Sequence, residues 1–200
     1  MVVFGACQLI IHVVICLKNA FPEVEIYLPN ANIDKFCFDD SNLEESHFCN
    51  SSFAKSIFKN VNLSGAELLG INFQCAELYD VTFEQAILSG SIFNHAKCEG
   101  VSFENAKLTM AQFYKANLRG ANLKKSELTA ACFIETDLRG ANLEEIINND
   151  IIIFENAIVD KHTRGIDSSG ILQSCEINRD DPNRWILTLR EKQPEDNVVD

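Results

Sequence analysis

Cysteine and histidine side chains at repeated spacings are the residues of this chain best suited to chemistry. The spacing from Cys75 to His95 equals the spacing from His47 to Glu67. A thiol held beside an imidazole pairs a cysteine nucleophile with its general base. His47 and Cys49 are residue types that bind zinc, and Glu67 would add one further ligand. Both groups can act only if the backbone brings their members together, so the element that carries them has to be identified first.

The chain is organised by an apolar residue at every fifth position, which recurs over 23 consecutive units from Ile33 to Leu143. A small residue, usually alanine, stands two positions before most of these centres, and Phe36 is the main exception. Side chains alternate between the two faces of an extended backbone, so the centre and the small residue point inward and the residue between them points outward. Each unit is therefore predicted to be a very short strand.

The glycines of the repeats share one position, two residues after a centre. They are Gly65, Gly70, Gly90, Gly100, Gly120 and Gly140. Glycine is the residue that adopts positive φ without steric cost, so this position is predicted to be a corner between successive strands.

The residue types at the centres indicate how many units make one coil. Phenylalanine recurs at every fourth centre and so does leucine, at Phe53, Phe73, Phe93, Phe113 and Phe133 and at Leu68, Leu88, Leu108 and Leu128. Four units per coil stack identical side chains in internal ladders, whereas three would mix phenylalanine with leucine in every column. A four-sided solenoid is therefore favoured, and about six coils at the strand spacing of about 4.8 Å make a rod about 28 Å long.

Three of the units read Ala-Asn-Leu, at residues 116–118, 121–123 and 141–143. They match the A(D/N)LXX motif, and the chain resembles the pentapeptide-repeat family over well over half of its length. The resemblance implies that family's shape, an all-β solenoid in the form of a right-handed quadrilateral β-helix with four five-residue units per coil. Solenoids need atypical terminal segments to cover their raw ends, so we expect a cap at each end.

The period divides the chain into three parts. We expect an N-terminal cap or targeting segment at 1–30, the pentapeptide-repeat β-helix at 31–160, and a C-terminal cap with an acidic tail at 161–200. The five-residue spacing of apolar centres is lost after Leu143, and it is restored at Phe154 if one residue is inserted. This change of spacing predicts a bulge near 146–152.

Both terminal segments leave alternatives open. Residues 1–17 are apolar, but they lack a basic n-region, contain Gln8 and His12, and are shorter than a bilayer span of about 20 residues. A structural cap is favoured there, with targeting or membrane association as the alternative. Residues 182–192 begin with a proline directly after Asp181, which is typical of the start of a helix. Their apolar residues alternate as in a strand, so the sequence does not decide between helix and strand.

Charge and cysteine usage limit the class of partner and the compartment. The chain has 17 basic and 29 acidic residues, a net charge of −12, so nucleic acid and anionic membranes should repel it and a protein partner should have a basic surface. Its 8 cysteines are scattered over different phases of the repeat, which favours a reducing, cytoplasmic setting over a disulfide framework. A zinc site needs four ligands, or three and a water, so no metal or cofactor is expected.

One side of the predicted rod, the acidic face built on Leu43, Leu63, Phe83, Phe103, Leu123 and Leu143, carries an excess of carboxylates. Its glutamates are Glu44, Glu45, Glu84, Glu104, Glu144 and Glu145, against only Lys124 and Lys125. The rod resembles the branch of the family that protects type II topoisomerases by mimicking duplex DNA, although its uninterrupted repeat and the absence of an obvious dimer helix depart from that branch. The simpler alternative is that the glutamates only keep the rod soluble.

A second candidate surface is an apolar strip formed by Leu69, Ile87 and Met110 on the face built on leucines. A contiguous apolar strip can dock a partner or a second copy, although single exposed apolar residues are ordinary. A convex rod offers no concavity in which Cys75 and His95 could act. The sequence therefore predicts a non-enzymatic protein-interaction scaffold, then a DNA-mimicking regulator or protector of a topoisomerase, then a thiol-dependent enzyme, and it leaves homo-oligomerisation open.

Overall fold

The computed structural model describes residues 3–148, 152–166, 175–181 and 184–189. Its elements, in chain order, are α1 (Val3–Ala20), β1 (Cys37–Asp39), β2 (Ile57–Asn62), β3 (Glu77–Thr82), β4 (Ala157–Val159), β5 (Cys175–Asp181) and β6 (Arg184–Leu189).

The coils are joined by parallel pairing at a constant interval. β1 pairs with β2 and β2 with β3, which places Phe38 opposite Phe58 and Phe58 opposite Leu78. Elsewhere single parallel bridges continue the same interval, as between Ser102 and Asn122. Paired residues of neighbouring coils are thus four five-residue units apart along the chain. The repeat region is an all-β solenoid, as the sequence predicted.

The core is a stack of inward-pointing centres. The ring of Phe93 lies 5.0 Å from the rings of Phe73 and Phe113, measured between centroids, and the planes are within 18° of parallel. Each of the three is fully buried. Cys98 occupies a centre as well, and its burial raises the pKa of its thiol far above the ordinary value, so it acts as a small apolar residue.

Corners form two residues after each centre, where the backbone takes positive φ. The six repeat glycines have φ between 64° and 70° there, which confirms the predicted corner. Many other corners carry polar residues such as Asn60 and Asp80. None of the non-glycine residues with positive φ in the described part of the chain is β-branched, as steric repulsion between a branched Cβ and the backbone requires.

The interval between paired residues increases twice near the C-terminal end of the rod. Glu127 pairs with Ile147 at the regular interval of four units, but Cys132 pairs with Ile153, one position beyond that interval. The extra residue therefore lies within 148–152, inside the segment where a bulge is predicted, and residues 149–151 of that segment are outside the described residues.

Coil geometry extends beyond both limits expected from the sequence. Tyr27 pairs with His47, four residues before the expected start at 31. Arg164 pairs with Asn142, one position beyond the interval between Asp137 and Ile158, so a second residue is inserted after Ile158 and coil pairing continues past the expected limit at 160. Backbone pairing tolerates an extra residue at a corner, whereas a search for a strict period of five loses the repeat there.

The two ends of the rod are covered by different elements. Ile11 and Ile15 of α1 are buried against the core at one end. The side chain of Asn19 lies against the outer edge of the first coil, where it donates to the Asp40 carbonyl (3.1 Å) and accepts from the Asn42 amide (2.8 Å). These two bonds replace those that a preceding coil would make.

At the other end, β6 pairs antiparallel with β4 on one side and with β5 on the other. The strand interpretation of the segment 182–192 therefore holds for Arg184–Leu189, and the acidic tail from residue 190 onward lies outside the described residues. Within the residues that the structure describes, no helix is both long and apolar enough to cross a membrane.

Candidate protein-interaction surface

The floor of the acidic face is a row of outward polar side chains, one from each coil. Their backbones pair in sequence, in the order Asn42, Asn62, Thr82, Ser102, Asn122 and Asn142. The side-chain oxygen of Asn42 accepts from the amide of Glu44 (3.1 Å), and that of Asn142 accepts likewise from Glu144 (3.1 Å). Such a bond, which the backbone amide two residues later donates to the asparagine side chain, fixes the turn that carries the glutamate.

The middle glutamates of this face are held by the floor. Glu84 accepts a hydrogen bond from the Ser102 hydroxyl (3.0 Å), and Glu104 accepts one from the Asn122 amide nitrogen (2.9 Å). Both bonds reach across to the next coil. Within the described part of the chain, neither carboxylate is in an ion pair, so each presents its full negative charge to solvent.

Towards the C-terminal end the acidic face is partly neutralised. Glu145 lies 3.3 Å from Lys124 and 3.7 Å from Lys125, and Glu144 lies 3.8 Å from Arg164. Exposed ion pairs of this kind contribute little to stability, but they reduce the local negative charge. The six predicted glutamates therefore form two groups, and the uncompensated charge concentrates on the four nearer the N-terminal end of the rod.

A groove that the sequence analysis missed runs along the opposite edge of the same face. It is open, has a volume of about 350 Å³, and is lined by Asp40, Ser41, Asn42, Asn60, Val61, Asn62, Asp80 and Thr82. Asp40, Asn60 and Asp80 occupy corners of successive coils, and Asn60 donates to Asp40 (2.8 Å). The acidic face is thus flanked by carboxylates on both edges. Polar residues recur at every fourth corner there, as Asp40, Asn60 and Asp80, and this recurrence was the signal that could have revealed the groove.

The apolar strip is interrupted by charged residues. Leu69 and Met110 are 47% and 64% exposed. Ile87 is half-buried, and its paired neighbours in the adjoining coils are Glu67 and Lys107. Docking at this strip stays a prediction.

Cys75 and His95 occupy successive corners of one column, and Cys75 is exposed. No hydrogen bond joins their side chains in the described part of the chain, and the His95 ring instead packs edge-on against Tyr114, 5.4 Å away. A nucleophile and base need a mutual hydrogen bond and an oriented base. The arrangement therefore lacks the contacts of a catalytic dyad.

His47, Cys49 and Glu67 do come together. The imidazole of His47 is 2.9 Å from the Glu67 carboxylate, and the Cys49 thiol is 3.7 Å from the Glu67 carbonyl oxygen. The Glu67 carboxylate is thus used by the imidazole. Over the residues that the structure describes, no group of three or more histidine, cysteine or acidic side chains is placed to hold a metal ion.

Two family models match the repeats. A model described as pentapeptide repeat region covers residues 56–133, and one described as pentapeptide repeats (8 copies) covers residues 37–74. The chain is a pentapeptide-repeat protein. In this pentapeptide-repeat protein the matched residues contain the groove and four of the acidic-face glutamates, Glu44, Glu45, Glu84 and Glu104, whereas Glu144 and Glu145 lie beyond them.

Several solved pentapeptide-repeat structures are similar to this one. HetL, a protein of heterocyst differentiation regulation from the cyanobacterium Nostoc sp. strain PCC 7120, aligns over 74% of this chain and 77% of its own at 18% identity, with a TM-score of 0.40. A protein of the Arabidopsis thaliana thylakoid lumen aligns over 51% and 68% at 26% identity (TM-score 0.40). The plasmid-mediated fluoroquinolone resistance protein QnrB1 aligns over 70% and 69% at 18% identity (TM-score 0.45). Comparison with curated protein sequences gave no significant match.

Proposed function

We propose that this pentapeptide-repeat protein is a non-enzymatic scaffold that binds a protein partner through its acidic face. The observation that supports it best is the pair of carboxylate rows on the two edges of that face, with Glu84 and Glu104 fixed by hydrogen bonds and, among the described residues, without a cation. In a right-handed quadrilateral β-helix, whose four units per coil agree with the pairing interval, both rows would stand at the spacing of the coils.

The partner we propose has a basic surface. Carboxylates that already accept hydrogen bonds from their own chain lose less side-chain freedom on binding than mobile ones. Their summed field attracts a cationic surface from a distance and raises the rate of encounter. The contact would centre on the N-terminal half of the face, because Lys124, Lys125 and Arg164 offset the charge of the other half.

A scaffold is favoured over a thiol-dependent enzyme by the corners that hold Cys75 and His95. These corners are convex, and they lack the bonded base and the enclosed oxyanion site that thiol catalysis needs.

Mimicry of DNA towards a type II topoisomerase is the second candidate, and the two carboxylate rows favour it. The acidic face with its groove carries eight carboxylates and three cations, a net charge of −5. They are Asp40, Asp80, Glu44, Glu45, Glu84, Glu104, Glu144 and Glu145, with Lys124, Lys125 and Arg164. A duplex of the same length, about 28 Å, carries about 16 phosphate charges. This deficit places a general basic protein partner first.

Capture of partners by the immobilised chain tests the proposal. Glu44, Glu84 and Glu104 changed together to glutamine keep side-chain size and remove three charges from the acidic face. We expect this variant to capture at least about tenfold less of the partner that the wild-type chain captures from its native cell extract, because steering and contact are both weakened. Excess duplex DNA in the extract should displace the partner only if the DNA-mimic alternative is correct.

The matched control changes Glu127, Glu135 and Glu155 to glutamine, on other sides of the rod. Net charge falls equally, and Glu127 accepts a hydroxyl hydrogen bond from Thr109 (3.1 Å) as Glu84 does from Ser102. Capture by this variant should stay near that of the wild type. Equal loss in both variants would show that only total charge counts, and undiminished capture by the acidic-face variant would refute the proposed site.

A further inference from the structure

The helix at one end of the rod is mostly apolar. Among the 18 residues of α1, the polar ones are Gln8, His12, Lys18 and Asn19. A helix with this composition is normally surrounded by apolar partners. Here Ile11 and Ile15, one turn apart, are buried against the core, so the rod covers only one side of the helix.

The side of α1 that faces away from the rod is exposed. Val13 and Leu17 are 49% and 46% exposed, and Phe21 and Val24, just after the helix, are 52% and 38% exposed. Val13, Leu17 and Phe21 are four residues apart, which is the spacing of a ridge along one side of a helix. We call these four residues the end patch.

The charges around the end patch discriminate between occupants. Lys18, the nearest cation in the sequence, is buried and its ammonium group donates to the Pro22 carbonyl (2.7 Å), whereas Glu23 and Glu25 are exposed. Helices that bind a membrane surface usually display lysine or arginine to the lipid headgroups. A patch with its neighbouring lysine buried and with glutamates nearby fits an apolar protein surface better than an anionic bilayer.

We propose that the end patch is a self-association surface, on which a second copy of this chain docks end to end. A ridge of residues four apart packs into the same ridge of another copy, so a two-fold arrangement is self-complementary without other chemistry. The proposal also agrees with charge, because two chains of −12 each keep their acidic sides farthest apart when only their ends meet.

The size of the end patch sets the strength of this dimer. The end patch consists of four side chains that are between 38% and 52% exposed, so two such patches bury less than about 1,000 Å² in total. An area of this size is typical of weak, transient contacts. We therefore expect a weak, reversible dimer with a dissociation constant on the order of 100 micromolar, which added salt tightens by screening the repulsion between the two acidic rods.

Sedimentation velocity of the full chain over a wide range of concentration tests the proposal, with Leu17→Glu as the variant. Leu69→Glu is a matched control, because Leu69 is 47% exposed against 46% for Leu17 and both changes add one negative charge. Leu17→Glu should raise the dissociation constant about 100-fold or more, since each copy loses one buried leucine contact. Leu69→Glu should leave the dissociation constant within about threefold of the wild-type value. Leu17→Ser, which adds no charge, should weaken the dimer in the same direction.

Other outcomes would overturn the proposal. A wild-type chain that stays monomeric at all concentrations, or a dimer that Leu17→Glu and Leu69→Glu weaken equally, excludes self-association at the end patch. So does a dimer that Leu17→Glu and Leu17→Ser leave unchanged while circular dichroism shows them folded. Flotation of monomeric chain with phosphatidylcholine vesicles would assign the patch to a bilayer instead. Capture of a partner by the acidic face should survive Leu17→Glu, so this proposal and the proposed function can fail separately.

Discussion

At the scale of single residues, the core of the rod depends on identical side chains placed directly above one another. Phe93 has fully buried neighbours on both sides, Phe73 and Phe113, with ring centroids 5.0 Å away. A column of this kind leaves little room for relaxation when one ring is removed, because the rings above and below are fixed by their own coils. The cost of a cavity should therefore be near the upper end of its usual range.

Phe93→Ala should lower the free energy of unfolding by about 4 kcal/mol, from lost burial and from the cavity that remains. Phe93→Leu, which keeps most of the volume, should cost about 1.5 kcal/mol. Urea unfolding followed by circular dichroism measures both. Equal and small losses for the two variants would show that Phe93 is not packed inside the column.

Asp160 gives the last turn of the rod a dependence on pH. Its partial burial raises the pKa of the carboxyl group, but hydrogen bonds from the amides of Gly140 (2.9 Å), His162 and Thr163 outweigh burial and hold the pKa below the ordinary value of 3.8. The folded state therefore prefers the carboxylate. Its contribution to stability is complete above the pKa of the unfolded chain and disappears as pH falls through the lower pKa of the folded one.

Asp160→Asn should consequently be less stable than the wild type at neutral pH, and the difference should shrink as the pH falls below about 4. Asparagine keeps an acceptor oxygen, so the comparison isolates the charge. Unfolding by urea at a series of pH values measures the difference in the free energy of unfolding between the two proteins. The contributions of the other carboxylates are the same in both proteins and cancel. A difference that does not change with pH would contradict the assignment.

At the scale of elements, the last coil is closed by a glycine pressed against the coil before it. A Cβ on Gly165 would lie 2.3 Å from the carbonyl carbon and 2.4 Å from the carbonyl oxygen of Leu143, and its φ is +84°. Both atoms belong to the backbone, which cannot yield as a flexible side chain does. Only glycine permits this approach.

Gly165→Ala should therefore destabilise the rod by more than about 3 kcal/mol. Gly100→Ala is the control, since nothing lies within 4 Å of a Cβ there and only the positive φ of +70° opposes alanine. Ala130 already occupies such a corner at φ 56°, so the control should lose only about 1 kcal/mol. Thermal and denaturant unfolding measure both variants, and equal losses would mean that the contact with Leu143 is not made.

The sequence predicted most of the solenoid because its signals repeat in every coil. Phenylalanines at every fourth centre, such as Phe73 and Phe93, had to stack, and the corner position could be recognised from glycine alone. The exit of the rod could not be found in this way. Its coil closes around Arg164 through backbone bonds with Ala141 and Leu143, and backbone bonds leave no pattern of residue types.

The candidate site was predictable only in part, for a related reason. The five-residue period assigned each glutamate to a face, but it did not predict how far or in which direction the side chain extends. The ion pairs of Glu145 with Lys124 and Lys125 depend on that reach, and so does the hydrogen bond from Asn60 to Asp40 along the groove. Contacts between coils at a corner follow from the rotamers of long side chains, on which a single sequence says little.

At the scale of the whole molecule, charge is distributed unevenly over a stiff body. The phenylalanine core and the continuous pairing should hold the carboxylate rows in place, so that a partner meets a surface that is already organised. The acidic face near the N-terminal end of the rod carries the uncompensated carboxylates, whereas the end patch is made of apolar side chains. One molecule thus presents an electrostatic surface and an apolar one, which should respond to salt in opposite directions.

The rate at which the captured partner associates with the purified chain, measured at several salt concentrations, tests the central claim most directly. Charge steers encounter, so the wild-type rate should fall steeply as salt rises. The variant with glutamine at Glu44, Glu84 and Glu104 should associate about tenfold more slowly at low salt and show a shallower dependence on salt, while the Glu127, Glu135 and Glu155 control stays close to the wild type. Equal rates and equal salt dependence for all three proteins would contradict the claim that the acidic face binds the partner.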